Sequence, residues 1–332
     1  MVNRLRLAVL ATLVAGAVSA CAAILGVEDG VPRSDDAGVP DVVTPVDAAP
    51  VDAPTDVVAP TTCDPTKPFG VPQPLTALNV VGAEDAHGRL TPDELTIFFS
   101  SSRAGGAGGG DLYAATRKKR SDPFGAPFSL GAVINGATQE LVPSIAGDGL
   151  TLYFVSDRAF GYHIWFSTRS SLAAPFTAPQ VATGLVAAAF DADPYIAPDN
   201  ASIVMASSRQ NDAGITDLFT ADAIDGGFSA PVTLKGVNVA GHNDTSGALT
   251  ADKLLLYFAS DRPGGKGGFD LYVATRAAPS NAFGAPTLVT ELNTAGGEVP
   301  DWISPDRCRL YFSSSKVANS GDYDLYVAEK TP

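Results

Sequence analysis

Five acids recur at one offset. Counting back eight residues from Asp93, Asp148, Asp199, Asp252 and Asp306 gives Asp85, Glu140, Asp191, Asp244 and Glu298. A cation follows in each unit: Arg103, Arg158, Arg209, Arg262 and Lys316. Gathered at one mouth, five carboxylates would focus a negative field and favour a cation or a basic peptide segment. Paired one to one with the cations, or accepting backbone N–H groups, the same acids would be structural. The sequence leaves both readings open.

Catalytic constellations are scarce. His87, His163 and His242 fall in different units without metal-ligand spacing, and no G-x-S-x-G exists. Paired carboxylates could hydrolyse a glycoside. Catalytic acids need unlike settings so that their pKa values split, whereas these five repeat almost equivalently. We therefore expect no enzyme, with a glycan-binding or glycoside-hydrolysing protein as the alternative. Glycine-rich runs at 105–110 and 264–268 would suit a phosphate only if a helix followed, and a strand pattern follows. They also look like the calcium nonapeptide G-G-x-G-x-D, which works in tandem turns; here there is one per unit. Tight turns needing positive φ are the simpler reading. No cofactor is expected, Ca²⁺ being the one candidate. Trp165 and Trp302 could stack on sugar or simply fill the core.

The elements that must position these residues repeat every 51–55 residues. One strand reads Ile97-Phe98-Phe99-Ser100, and its counterparts begin at Leu152, Ile203, Leu256 and Leu310. The next reads D-L-Y-A-A-T-R from Asp111, with counterparts from His163, Asp217, Asp270 and Asp324. Aromatic and β-branched residues bounded by Gly or Asp mark strands. F-x-x-P recurs at Phe124, Phe176, Phe228 and Phe283, and a recurring Pro marks an outer edge strand. A less regular segment before each L-Y-F, such as 141–146, is the innermost strand. The last unit lacks F-x-x-P, and an extra copy, Phe69-Gly70-Val71-Pro72, precedes the first unit. The expected fold is all-β: a β-propeller of five blades with four antiparallel strands each, twenty in all. Residues 67–79 should complete the last blade beside 324–330, closing the ring and hiding its edges. Cys63 precedes the borrowed strand, and Cys308 lies in the turn after the last innermost strand. Both belong on one face, so a disulfide is expected, two free thiols being the alternative.

S-D-R-P-G-G-K-G-G-F-D-L-Y-V-A-T-R at 260–276, and E-x-x-P with D-G-L-T-L-Y-F-V-S-D-R between Glu140 and Arg158, resemble the WD40-like (PD40) repeat of TolB-type β-propellers. The resemblance covers about 67–330. Units 1, 3 and 5 lack the Asp of S-D-R, and His163 replaces Asp in unit 2. The family is often six-bladed, which is the alternative to five. The resemblance implies a binding platform in the bacterial envelope.

The remaining segments concern location. Arg4 and Arg6 precede a 12-residue apolar run, Leu7 to Val18, too short to span a bilayer and suited to a signal peptide. Val18-Ser19-Ala20-Cys21 resembles a bacterial lipobox, which implies removal of 1–20 and acylation of Cys21. Ala22, rather than Asp, favours the outer membrane in lipoproteins of that kind. Residues 22–66 alternate Asp, Pro, Ala and Val without strand or helix period and read as an extended acidic tether. The chain carries 36 acids and 22 bases; loss of Arg4 and Arg6 takes −14 to −16. Such charge disfavours nucleic acid. With 45% apolar residues, 33 Gly and 25 Pro, a turn-rich all-β core is feasible. The expectation is a monomeric, envelope-anchored, non-catalytic binding or scaffold propeller at 67–332. A protein or peptide partner is favoured at the channel mouth, with contact to the membrane only through the lipid.

Overall fold

The computed structural model describes residues 63–159, 161–187, 190–210, 215–315 and 322–332. The leader, Cys21, residues 22–62 of the tether and Lys316 lie outside them. Two units are distinguished, Met1–Val57 and Val58–Pro332; every strand among the described residues belongs to the second. It opens with β1 (Gln73–Pro74). Blade 1 is β2 (Asp85–Leu90), β3 (Thr96–Ser101), β4 (Asp111–Thr116) and β5 (Phe128–Ser129). Blade 2 is β6 (Glu140–Ile145), β7 (Thr151–Ser156), β8 (His163–Thr168) and β9 (Gln180–Val181). Blade 3 is β10 (Asp191–Ile196), β11 (Ser202–Ser207), β12 (Asp217–Ile224), β13 (Gly227–Phe228) and β14 (Val232–Thr233). Blade 4 is β15 (Asp244–Leu249), β16 (Leu255–Ser260), β17 (Asp270–Thr275) and β18 (Thr287–Leu288). Blade 5 contributes β19 (Glu298–Ile303), β20 (Arg309–Ser314) and β21 (Asp324–Glu329).

Each sheet is an antiparallel meander, and the fifth runs β1-β21-β20-β19. Gln73 pairs with Val327 and Pro74 with Tyr326, and Phe69 bridges Lys330. The segment that precedes blade 1 therefore completes the last blade. Contacts between β2, β6, β10, β15 and β19 place the innermost strands around a common axis. Both faces of a blade are covered by its neighbours, so the second strands are apolar almost throughout: β11 and β20 are buried along their whole length. Phe99 stacks on Tyr113, Phe258 on Tyr272 and Phe312 on Tyr326 between adjacent strands, with centroids 5.8–6.1 Å apart.

Three details differ from expectation. The outer strands hold two residues each, and the Pro of F-x-x-P sits just before them (Pro72, Pro127, Pro179, Pro231, Pro286). Pro removes a ladder donor, so pairing starts only after it. Blade 3 gains a strand, because β12 runs on into a hairpin pairing Ala223 with Phe228 and Ile224 with Gly227; there are 21 strands among the described residues. Residues 63–66 also belong to the ordered unit rather than to the tether. Cys63 is disulfide-bonded to Cys308, with Cα atoms 6.1 Å apart, and Asp64 N donates to Thr331 O at 3.2 Å.

Every innermost strand slips register midway, for example between Ala86 and Arg89. Four of the slips carry a non-glycine residue in the left-handed region: His87, Val142, Asp193 and Ser246, φ 50–60°. Blade 5 has Pro300 there, whose ring forbids positive φ, and it skips one partner rather than two. Bulges re-aim the residues that follow them; here those residues face the axis.

Candidate functional site

The five recurring acids each open an innermost strand, and all five are completely buried. Arg103 donates to Asp85 at 2.6 Å, Arg209 to Asp191 at 2.6 Å and Arg262 to Asp244 at 2.5 Å. Arg158 lies 3.0 Å from Glu140. The second carboxylate oxygen accepts a backbone N–H from Val80, Gly136, Ala187, Val239 or Thr294 at 2.7–2.9 Å. The same arginines reach the backbone carbonyls of Leu78, Ile134, Leu185 and Val237 at 2.6–2.7 Å. Those carbonyls lie on the crossover from the preceding blade. Each Arg–acid pair thus clamps a blade to its incoming connection. For Glu298, whose cation would be Lys316, the described partners are Thr294 and the Ser314 hydroxyl. None of the five acids lines an opening.

Other recurring residues are also taken up by the ring. The seventh residue counted from the start of the third strand, just past its end in four blades, covers the Phe of F-x-x-P: Arg117 over Phe124, Arg169 over Phe176, Arg276 over Phe283 and Lys330 over Phe69, at 4.4–4.9 Å. Blade 3 has Ala223 there and pairs Phe228 through its extra hairpin instead. The turns after the innermost strands are stitched together by Lys253 to Asp199 at 2.7 Å, Arg307 to Asp252, and Arg309 to Glu94 at 2.5 Å. The glycine-rich loops fold back on their own aspartates: Asp111 accepts from Ala107 N and Asp270 from Lys266 N. A Cβ on Gly106 or Gly265 would overlap that carboxylate, and Gly105 and Gly264 have φ of 94° and 101°. Among the described residues no group of three His, Cys, Asp or Glu side chains could hold a metal. Trp165 bonds Ser156 O at 3.2 Å within its blade.

The position that instead underlies an axial depression is the fifth of each innermost strand, where the residues are only 0–7% exposed. It reads Arg89, Ser144, Tyr195, Ala248 and Trp302. Four of these form the floor of an axial cup of about 430 Å³, its open mouth included. The rim is the ring of turns that carries Pro92, Gly147, Pro198 and Pro305. The cup as a whole is tight: outside open solvent it has room for about one water. This mouth lies on the face of Cys308 and the turns between the first and second strands of each blade, opposite the glycine-rich loops. Arg89 is 1% exposed, and its three guanidinium nitrogens have no hydrogen-bond partner. It stands over the Tyr195 ring at 4.7 Å. Tyr195 itself donates to Leu249 O at 3.0 Å, and burial pushes its hydroxyl up to about 12.

Behind the cup lie His87, Asp193 and Asp301. Asp301 is fully buried and accepts from Ser313 Oγ at 2.7 Å. Burial pushes it up to about 7, against the pull of Arg89, the Ser313 hydroxyl and the Gly88 amide. Burial takes His87 down to about 4, Asp193 opposing and Arg89 adding to the shift. Asp193 accepts from Thr245 Oγ1 and from Ser246 N.

Sequence reasoning passed over the fifth position because it looked for what repeats. The signal was the reverse: in strands that agree at position one, position five carries Arg, Ser, Tyr, Ala and Trp.

No family model and no curated protein matches this sequence. Solved structures do. TolB from Acinetobacter baumannii is 15% identical over 74% of this chain and 54% of its own, with TM-score 0.47; this chain spans about half its length. A putative TolB from Agrobacterium tumefaciens is 18% identical over 72% and 73%, TM-score 0.47. An α-L-arabinofuranosidase from Podospora anserina, solved with cellotriose, is 14% identical over 82% and 99%, TM-score 0.51. At these identities the likeness is one of fold.

Proposed function

We propose that this chain is a non-catalytic binding or scaffold propeller of the cell envelope, taking a segment of a protein or peptide partner at the axial mouth. The observation that carries the reading is the cup: an asymmetric aromatic and proline-rimmed depression built on an innermost-strand position that differs in every blade. Concave, mostly apolar sites with few polar groups are the usual form of a recognition pocket. Acylation of Cys21 after removal of 1–20, with 22–62 as tether, would hold the ring at the membrane, the outer membrane by virtue of Ala22. A photo-crosslinking side chain at exposed Pro305 on the rim, compared with one at exposed Ala104 on the opposite face, tests the site in the native envelope. Adducts should form from the rim and vanish with Trp302→Ala. Equal adducts from both faces, or none from the rim, would reject it.

The glycosidase reading has one observation in its favour. Asp193 and Asp301 approach the axis, and Asp301 is raised to about 7, as a general acid would be. Both are sealed beneath the cup, at 8% and 0% exposure, which places it second. Reducing sugar released from arabinose-substituted xylan by the wild type but not by Asp301→Asn would reverse that order.

A further inference from the structure

We propose that the axial cup binds a peptide carboxylate, with Arg89 as its counter-charge; the proposal rests on the cup being the partner site. Of the twelve residues around the cup, Arg89 alone carries a charge at neutral pH, in a chain of net charge −14. Its guanidinium offers donors in a planar fork that matches a carboxylate. None of those nitrogens is hydrogen-bonded, so turning toward a ligand breaks no hydrogen bond and gives up the contact with the Tyr195 ring and part of the longer-range attraction of Asp301 and Asp193. Buried donors left without hydrogen bonds are costly, and an entering carboxylate would satisfy them where Asp193 and Asp301 do not reach.

A second donor stands beside it. Ser144 Oγ accepts from Ile196 N at 3.0 Å, which leaves the hydroxyl proton free to donate. The walls are apolar, and Trp302 is braced edge-on against Tyr311 with centroids 5.8 Å apart. The tight floor admits only the tip of a group. These features select a carboxylate carried on an apolar stretch, either a chain terminus or an acidic side chain. Asp193 and Asp301 lie behind Arg89 and do not line the cup.

The test uses a Trp165→Phe protein, in which Trp302 is the sole tryptophan. N-acetyl-Leu-Leu with a free carboxylate, its amide, and N-acetyl-Leu-Glu-amide are titrated by calorimetry and by Trp302 fluorescence. The free acid should bind at least tenfold more tightly than the amide. The Glu peptide reports whether a side chain serves as well as a terminus. Arg89→Met should lose at least tenfold for the acid, and Ser144→Ala several-fold, with melting curves confirming that both fold. Equal affinity for acid and amide, no binding of either, or unchanged affinity in Arg89→Met would overturn the carboxylate while leaving the rim crosslinks standing. Crosslinks that fail at the rim would instead remove the site itself.

Discussion

Replacing Arg262 by Met tests whether the recurring acids hold blades together. The guanidinium bonds Asp244 at 2.5 Å, Ser260 Oγ at 2.9 Å and Val237 O at 2.6 Å. It also lies 5.0 Å from the Phe258 and Tyr272 rings. Its side chain is 10% exposed and that of Asp244 not at all. Met keeps most of the stem and removes the charge, leaving Asp244 with Val239 N as its remaining described donor. Stranding one partner of a buried pair costs about 3–5 kcal/mol, and the lost ring contacts add about 1 kcal/mol. For a unit this large, about 2 °C of melting temperature goes with each kcal/mol, so a fall of about 10 °C is expected. Asp244→Asn in the same background should restore part of it, with a coupling of about 2 kcal/mol in the double-mutant cycle. Thermal melts and urea titrations of the four proteins supply the numbers. A fall of only a degree or two, with no coupling, would refute the clamp and return the acids to the pool of ligand-binding candidates.

Two further outcomes follow from other buried groups. Asp301 holds its proton more tightly folded (about 7) than free (3.8). Its contribution to stability is complete below pH 3.8 and is lost as pH rises to about 7. His87 runs the other way: its folded value of about 4 lies below 6.5, so its contribution is complete above pH 6.5 and is lost as pH falls toward 4. Relative to the wild type, His87→Gln should therefore gain stability on acidification from pH 7 to 4, and Asp301→Asn should lose it; differences in denaturant midpoint from the wild type that change in the same direction in both would refute the assignment. Separately, the Cys63–Cys308 bond spans 245 residues, and chain-entropy reasoning gives it about 5 kcal/mol. Cys63→Ser, Cys308→Ser and reduced wild type should share one lowered urea midpoint; equal midpoints for oxidised and reduced protein would contradict this.

The blade count and the closure were legible because the chain states each unit five times, and the displaced F-x-x-P at Phe69 shows which strand is borrowed. The outer strand was less legible. Its Phe is covered by a cation just past the third strand, Arg117 over Phe124 for instance, and ladder pairing is left to the two residues after the Pro. The role of the acids was left open for a definite reason. Their burial is set by arginine bonds to carbonyls of Leu78, Ile134, Leu185 and Val237, and a backbone acceptor 24 or 25 residues away leaves no mark in side-chain identity. Asp193, Asp301 and Arg89 were invisible as a group because they occupy three different positions of the repeat in three different blades.

That last point bears on where recognition can sit in a ring of repeats. A feature present in every blade is met five times around the axis, so it suits what every blade needs: a clamp on the incoming crossover, a covered Phe, a stitched turn. A peptide segment has no fivefold symmetry and requires unlike neighbours. At the first position of the innermost strand the five residues are all acids, each engaged within the ring. Four positions later, past the bulge, they are a cation, a hydroxyl, a phenol, a methyl and an indole. Nothing in the blade architecture calls for Arg89 there: Ala248 fills the equivalent place in blade 4 while buried at 0% exposure. A guanidinium that the fold does not use, at the floor of a cup that differs on every side, is where a partner can be read.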